Sequence, residues 1–152
     1  MLYSQFKTTF KLPTATTFFM DEDAIKKKLT EKEYYVLREH GTEMPFTGEH
    51  YKRKDNGNYL CKVCGAKLFD SKTKFDSGSG WPSFDTATNG SVELITDKKF
   101  GMTRTEVRCK KCGSHLGHVF DDGPTDTGKR FCINSVCLDF KQKGSQSKTE
   151  KN

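Results

Sequence analysis

The six cysteines carry most of the chemistry that this 152-residue sequence can support. Four of them form two matching elements, Cys61-Lys-Val-Cys64-Gly65 and Cys109-Lys-Lys-Cys112-Gly113. Each element is a tight turn that offers two sulfurs to one point, and the glycine lets the backbone bend back. Two such turns supply the four thiolates of a tetrahedral site, which zinc fills without redox chemistry of its own. The spacing therefore predicts a structural zinc site.

Paired CxxC motifs also occur as catalytic dithiols and as disulfides. A redox-active motif usually opens a helix after a strand, whereas both motifs here precede glycine in a strand-rich sequence. A rubredoxin-like iron centre is a further alternative to zinc. Because 44 residues separate Cys64 from Cys109, we expect the metal to join two distant strand pairs. Four protein ligands close the coordination shell, so catalysis must take place elsewhere.

The remaining cysteines, Cys132 and Cys137, lie in the segment RFCINSVCLDF, residues 130–140. If this segment is one strand, alternate side chains share a face, which places Cys132 between Arg130 and Asn134 and turns Cys137 away. A guanidinium favours the thiolate, and an amide can orient a polar substrate. We therefore predict that Cys132 is a nucleophile. For Cys137 we keep the usual interpretation of a free cysteine, a small buried apolar residue.

The upstream segment GSHLGHVFDDGP contains two of the four histidines, His115 and His118. Two histidines three residues apart could bind a metal, but the thiolates already complete one site and the sequence shows no further ligand cluster. Each could also be an ordinary hydrogen-bonded histidine. A thiol enzyme needs an acid nearby, so we predict that these histidines transfer protons.

The only tryptophan, Trp81, lies in the glycine-rich segment FDSGSGWPSF. It could belong to the core. An indole in a loop beside glycine and proline is also a suitable wall for a small apolar group. We therefore predict that Trp81 contacts the substrate.

Short elements must position these residues. Thr30 followed by Glu33 is the pattern of a reciprocal helix cap, and Gly41 can end the helix that begins there. Beyond it, proline and glycine interrupt helical periodicity, and residues 92–95, 105–108 and 130–140 are typical of strands. We predict a single, mainly β, antiparallel domain with a short helical N-terminus.

Taken together, these motifs resemble those of the B-type methionine sulfoxide reductases, which act on the R epimer at sulfur. The resemblance rests on Cys61-x-x-Cys64, SGSGWPSF, TRTEVRCKKCGSHLGHVFDDGP and RFCINS, and it covers residues 29–140. It implies two antiparallel sheets in a tent-like or barrel-like arrangement, with the zinc site that many members have.

The resemblance also implies roles for individual residues. Cys132 would be the nucleophile, Trp81 would receive the methyl group of the substrate, and Asp122 would support the histidine loop. The residues around the sulfoxide would be His115, His118, Asn134 and Arg130.

The implied reaction is the reduction of a methionine R-sulfoxide, free or protein-bound, to methionine, which would repair oxidised proteins. The Cys132 thiolate would attack the sulfur of the sulfoxide while His118 or His115 protonates the departing oxygen. Cys132 would then be left as a sulfenic acid.

The chain departs from many of these relatives at Ser79, where they carry a resolving cysteine in SGCGWPSF. Cys137 is the only unassigned substitute, but five residues along a strand span about 16 Å and end on the opposite face. A disulfide requires Cα atoms within about 7 Å. We therefore expect a one-cysteine cycle, in which thioredoxin, glutaredoxin with glutathione or another thiol reduces the sulfenic acid.

The net charge of +6 is concentrated in the ends of the chain. Residues 1–20 contribute +2 and residues 141–152 contribute +3, which leaves +1 between them. A nucleic-acid module concentrates positive charge on its folded face, so we expect no nucleic-acid partner. No segment approaches the roughly 20 apolar residues of a membrane helix, so we expect no membrane insertion.

We divide the chain into three parts. Residues 1–20 form either a disordered leader or a transit peptide, residues 21–140 form the domain, and residues 141–152 form a disordered basic tail. We expect an intracellular monomer, cytoplasmic or mitochondrial.

Two other functional classes are compatible with the motifs. A zinc-pinned binding module without turnover predicts that Cys132 is no more reactive than Cys137. A zinc-ribbon nucleic-acid protein predicts affinity that falls steeply with salt, and the near-neutral central region argues against it.

Overall fold

The computed structural model describes residues 21–143. The predicted leader, residues 1–20, and residues 144–152 of the predicted tail lie outside the described residues. The described chain opens with two short helices, α1 (Glu22–Lys28) and α2 (Glu31–Glu39). Neither these nor any other helix within residues 21–143 is long and apolar enough to cross a membrane.

Helix α2 begins at the predicted cap. The Thr30 hydroxyl accepts a hydrogen bond from the backbone N–H of Glu33 at 3.1 Å, and the Glu33 carboxylate accepts one from the backbone N–H of Thr30 at 2.9 Å. The helix ends at His40, whose left-handed φ of 61° stops it one residue before the predicted glycine. Helix α1 was not predicted because it buries a single apolar side chain, Ile25.

Nine strands follow within the described residues, and all their pairings are antiparallel. They are β1 (Gly57–Cys61), β2 (Lys67–Asp70), β3 (Lys74–Phe75), β4 (Ser83–Phe84), β5 (Val92–Asp97), β6 (Arg104–Cys109), β7 (His115–Phe120), β8 (Arg130–Ile133) and β9 (Leu138–Gln142). One sheet has the order β2-β1-β9 and the other the order β3-β4-β8-β7-β6-β5. The predicted mainly β fold with two antiparallel sheets is confirmed.

The single strand predicted over residues 130–140 is wrong. Strand β8 ends at Ile133, a 3₁₀ turn occupies Ser135–Cys137, and β9 joins the other sheet, extending two residues beyond the predicted domain end. The carboxylate of Glu43 accepts hydrogen bonds from the backbone N–H groups of Ser135 at 2.9 Å and Val136 at 3.0 Å. A side chain thus takes the donors that a neighbouring strand would need, and the chain turns from one sheet to the other.

Aromatic rings fill the space between the two sheets. The ring of Phe69 on β2 stacks on that of Phe84 on β4, with centroids 4.3 Å apart and an interplanar angle of 14°. Tyr59 on β1 meets Phe84 at 5.1 Å, and Phe131 on β8 meets Phe69 at 5.8 Å. Each such pair contributes about 0.5–1.5 kcal/mol beyond the burial of its area. This packing holds β4 and β8 of one sheet against β1 and β2 of the other.

Strands β7 and β8 come close together at Gly117. A Cβ added there would overlap the carbonyl oxygen of Cys132 and lie 3.0 Å from the Cα of Ile133, so only glycine fits. The pairing sets Gly117 opposite Ile133 and His118 opposite Cys132. Directly opposed residues of an antiparallel pair have neighbouring side chains on one face.

Candidate active site

A cavity of about 300 Å³ lies over the centre of the β7–β8 pair. It is lined by Thr42, Ser79, Trp81, Arg104, Gly117, His118, Phe120, Arg130, Cys132 and Asn134. The structure thus brings together five of the predicted site residues: Trp81, His118, Arg130, Cys132 and Asn134. His115 and Asp122 are not among the lining residues.

Cys132 lies in the middle of the cavity wall, opposite His118 on one side and Ser83 on the other. Its Sγ is 4.0 Å from the Ser79 Oγ. Burial raises the pKa of the Cys132 thiol, while the Ser79 hydroxyl and the Arg130 guanidinium lower it by less. The predicted influence of Arg130 is therefore present, but it does not offset burial. The free protein holds Cys132 mainly as a thiol at neutral pH.

Arg130 is fixed by an acid and an aromatic ring. Its Nε and Nη2 donate hydrogen bonds to Asp122 at 2.8 and 3.0 Å, and its guanidinium carbon lies 4.6 Å from the Phe120 ring centroid. The side chain of Asp122 contacts Arg130, and its support of the histidine loop stays a prediction. Asp122, in the loop between β7 and β8, holds the guanidinium of Arg130 at the start of β8.

Carboxylates on β5 and β6 hold the two histidines of β7. His118 Nε2 lies 2.8 Å from Asp97 Oδ2, and this hydrogen bond is the main cause that lowers the pKa of Asp97 to about 2. His115 Nδ1 lies 2.6 Å from Glu106 Oε2. Burial opposes ionisation of Glu106, but hydrogen bonds from Arg108 and His115 outweigh it and lower its pKa to about 2. Because an ionised carboxylate only accepts hydrogen bonds, the bonded nitrogen of each ring carries a proton.

The two histidines differ in burial. His115 is 3% exposed, and burial lowers its pKa although Glu106 acts in the opposite direction. His118 faces the cavity, and the two ring centroids are 5.7 Å apart. Two imidazolium ions at that separation would repel each other.

Glu43 links the other two predicted residues of the cavity. The Asn134 side chain accepts a hydrogen bond from the Glu43 backbone N–H at 2.9 Å and donates one to the Leu116 carbonyl at 3.0 Å. The indole of Trp81 donates a hydrogen bond to the Glu43 carbonyl at 3.1 Å. Asn134 and Trp81 are therefore oriented through one loop residue.

Cys137 is fully buried, and its Sγ donates a hydrogen bond to the His115 carbonyl at 3.3 Å. Burial raises its pKa well above the ordinary value. It does not line the cavity, which agrees with its interpretation as a buried apolar residue. In the folded chain Cys137 is poorly suited to act as a nucleophile.

Three acids at the site, Glu43, Asp97 and Glu106, were not predicted from the motifs. Glu106 lies inside the predicted strand at residues 105–108, and a charge buried in a strand must be paired, so the neighbouring histidines were a usable signal. Asp97 and Glu43 have no comparable signal, because they reach the site only through the fold.

The four cysteines of the paired motifs form one cluster. Their sulfur atoms all lie within 4.8 Å of one another, and the pairs Cys61–Cys112 and Cys64–Cys109 are 3.6 Å apart. A tetrahedral site with metal–sulfur bonds of about 2.3 Å has sulfurs about 3.8 Å apart. The cluster could therefore hold a metal ion. It joins β1 of one sheet to β6 of the other, as expected from the long gap between the motifs.

Comparison with known proteins places this geometry in a family. The model of the SelR domain matches residues 29–142. The chain belongs to the SelR domain family. The SelR domain spans α2, both sheets and the cysteine cluster, and therefore the whole candidate site.

Several curated relatives are similar to this chain over more than three quarters of its length. The peptide methionine sulfoxide reductase MsrB of Methanosarcina barkeri is 56% identical over 121 residues, which are 79% of this chain and 85% of the relative. That of Leptospira interrogans is 56% identical over 123 residues, 80% and 93% of the two chains. The mitochondrial methionine-R-sulfoxide reductase B3 of Mus musculus is 52% identical over 120 residues, 78% of this chain and 47% of the relative.

Replacing Arg130 with Met should change the pKa of the Cys132 thiol. The guanidinium lowers the pKa of Cys132, so its removal should raise that pKa and shift the pH midpoint of Cys132 alkylation upwards. Iodoacetamide labelling rates, followed by peptide mass spectrometry across a pH series, measure this. Lys129→Met removes a neighbouring cation that pairs with Asp121 and should leave the midpoint unchanged. A midpoint that stays or falls in Arg130→Met contradicts the assignment.

Proposed function

We propose that this protein reduces methionine R-sulfoxide, in proteins or free, to methionine, acting as a peptide-methionine (R)-S-oxide reductase in the repair of oxidised proteins. The observation that carries the proposal is the opposition of Cys132 and His118 on paired strands within one cavity. The family match supports it, because the related proteins bear the names of methionine sulfoxide reductases.

The chemistry follows from the residues of the cavity. Cys132, once deprotonated, attacks the electrophilic sulfur of the sulfoxide, and the S–O bond to the substrate breaks. Overall, a thiol and a sulfoxide become a sulfenic acid on Cys132 and methionine, so the oxygen and two electrons exchange between the two sulfurs. The proton of the thiol ends on the transferred oxygen.

His118 is the better candidate for protonating that oxygen. It lines the cavity beside Cys132, whereas His115 lies behind it and is kept neutral by burial. Asp97 fixes the proton on Nε2 of His118, which leaves Nδ1 as the nitrogen available for proton transfer. We therefore propose that His118 donates the proton and that His115 only supports His118.

The remaining residues bind and orient the substrate. Trp81 offers an indole face to the methyl group, and its bond to Glu43 holds that face in place. Arg130 and Asn134 complete the polar side around the sulfoxide, and Asp122 acts through Arg130.

The decisive experiment supplies separate R and S sulfoxides of a blocked methionine with dithiothreitol and measures the methionine formed. Wild-type protein should reduce the R epimer alone. Cys132→Ser should abolish turnover, since a hydroxyl is a far weaker nucleophile, with metal content and melting temperature preserved. Turnover of the S epimer alone, or activity retained in Cys132→Ser, would contradict the proposal.

We also propose that the metal of the cysteine cluster is zinc with a structural role. Four thiolates at these separations fit a tetrahedral ion and leave no open position for a reacting water. Cys61, Cys64, Cys109 and Cys112 would hold it, and its contribution would be to tie the two sheets together.

Cys109→Ser should therefore lose most of the bound zinc and lower the free energy of unfolding by several kcal/mol, because metal binding at such sites is coupled to folding. Elemental analysis and thermal unfolding provide the measurement. Cys132→Ser is the matched control, because it removes a thiol outside the cluster. Unchanged zinc content and melting temperature in Cys109→Ser would rule out the structural role.

We propose that an external thiol restores Cys132. Ser79 stands 4.0 Å from Cys132 and has no thiol, and the sulfur of Cys137 is buried and bonded elsewhere. Two external thiols would convert the sulfenic acid to Cys132 thiol and water while they become a disulfide. Thioredoxin, glutaredoxin with glutathione and small thiols are the candidate reductants.

One equivalent of R-sulfoxide should therefore add one oxygen to the intact mass, trappable by a sulfenic-acid reagent. Cys137→Ser should leave dithiothreitol-driven turnover within about twofold, while Ser79→Cys should form a disulfide with Cys132 and improve turnover with thioredoxin, since the two positions are already adjacent. A loss of two hydrogens with Cys132 linked to Cys137 in wild-type digests would refute the one-cysteine cycle.

We further propose that the protein works as a monomer inside the cell, in the cytoplasm or in mitochondria. The named mitochondrial location of the mouse relative and the acid-free composition of residues 1–20 support the second compartment.

A further inference from the structure

A buried carboxylate links His115 to a histidine outside the cavity. The same oxygen of Glu106, Oε2, lies 2.6 Å from His115 Nδ1 and 3.0 Å from His40 Nδ1. The other oxygen accepts a hydrogen bond from Arg108 at 3.1 Å. The proposed reaction assigns no role to His40 or Glu106.

Three imidazole rings lead from the surface to the cavity. The side chain of His40 is 33% exposed at the end of α2, and its ring centroid lies 5.3 Å from that of His115. The ring of His115 lies 5.7 Å from that of His118, which lines the cavity. A change at His40 can therefore reach the reacting centre through one intervening ring.

The hydrogen bonds fix where the protons are. Glu106 is ionised, so His40 and His115 both donate to it through Nδ1. Neutral His115 then has its lone pair on Nε2. That atom is buried and has no hydrogen-bond partner among residues 21–143. An unpaired buried acceptor destabilises a fold, so packing alone does not account for this arrangement.

We propose that His40 and Glu106 are positioning residues for His115: Glu106 holds the proton on Nδ1 and leaves the lone pair on Nε2, and His40, by sharing the same carboxylate oxygen, helps to keep His115 neutral beside His118. The inference rests on the proposed reduction at Cys132. A neutral His115 leaves His118 as the proton donor of the pair, because the two rings do not compete for the same proton.

The role of His40 follows from its sharing of one oxygen. His40 and His115 both donate to Oε2 of Glu106, so the negative charge of the carboxylate acts on two rings. Without His40 that charge would act on His115 alone and favour its imidazolium form. A charged His115 would oppose a proton on His118 and slow the chemical step. The titratable and charged groups that face His115 are Glu106 and Arg108 of β6, His118 of β7, His40 after α2, and Cys137 at the His115 carbonyl.

His40, Glu106 and His115 are also close enough together to hold a metal ion. Each Nδ1 already donates to the carboxylate, so a metal would have to displace a proton from both rings. Hydrogen bonding accounts for the cluster without a metal.

A matched pair of substitutions separates this role from a structural one. His40 has a left-handed φ of 61°, a conformation that glycine and asparagine both tolerate. His40→Gly removes the donor and keeps the helix end, whereas His40→Asn places an amide nitrogen near the position of Nδ1. Glu39→Gln, an exposed change on the same helix, is the surface control.

With R-sulfoxide as substrate, His40→Gly should lower kcat about tenfold with KM within about twofold, since part of the contribution of proton transfer is lost. His40→Asn should recover to within about twofold of wild type, and Glu39→Gln should match wild type. Equal kcat in His40→Gly and wild type, or no difference between His40→Gly and His40→Asn, would overturn the proposal.

Nitrogen-15 NMR of the histidine rings, recorded at neutral pH without substrate, gives a readout that does not depend on turnover. Wild-type protein should show His115 as the neutral Nδ1–H form, and His40→Gly should shift it towards imidazolium. A wild-type His115 protonated on Nε2 would refute the inference. If wild-type protein reduces neither epimer, the proposed function fails, and the NMR comparison still decides whether His40 sets the state of His115.

Discussion

Strands β7 and β8 approach each other at Gly117, and their register sets His118 opposite Cys132. No side chain could stand at residue 117 without pushing the strands apart. The cavity depends on that approach, because it brings a thiol and an imidazole to neighbouring positions on one face of one sheet. The stacked rings of Phe69 and Phe84 lock the sheets together around it.

Electrostatics then give each side chain a separate role. Burial keeps Cys132 mainly in its thiol form at neutral pH, and Arg130, held by Asp122, moderates that effect. A thiol of high pKa yields less thiolate but a more nucleophilic one. His115 and His118 differ in burial and in the carboxylate to which each is bonded. Asp97 holds one beside the cavity, and Glu106 holds the other behind it.

Sequence patterns predicted those parts of the fold that residues close together in the chain determine. The cap of α2 needs only Thr30 and Glu33, and the cysteine cluster needs two turns of fixed spacing, so both could be predicted from the sequence. The break after β8 could not, because its cause is the carboxylate of Glu43, some 90 residues earlier in the chain. A run of β-prone residues contains no sign that a remote side chain will take its backbone donors.

The acids that bond to the histidines also depend on the fold. Their carboxylates come from β5 and β6, two strands that pair with each other and, through β6, with β7. Residue types and spacing predicted five of the side chains that line the cavity, whereas the acids bonded to the histidines depend on which strands become neighbours.

The central claim is that Cys132 and His118 act as a pair across β7 and β8. Single-turnover formation of methionine from an R-sulfoxide, compared between wild-type protein and His118→Ala, tests it most directly. The pairing predicts a rate lower by about 10²–10⁴-fold with an unchanged melting temperature, the range expected when a positioned proton donor is lost. A single-turnover rate within a few-fold of wild type would contradict it.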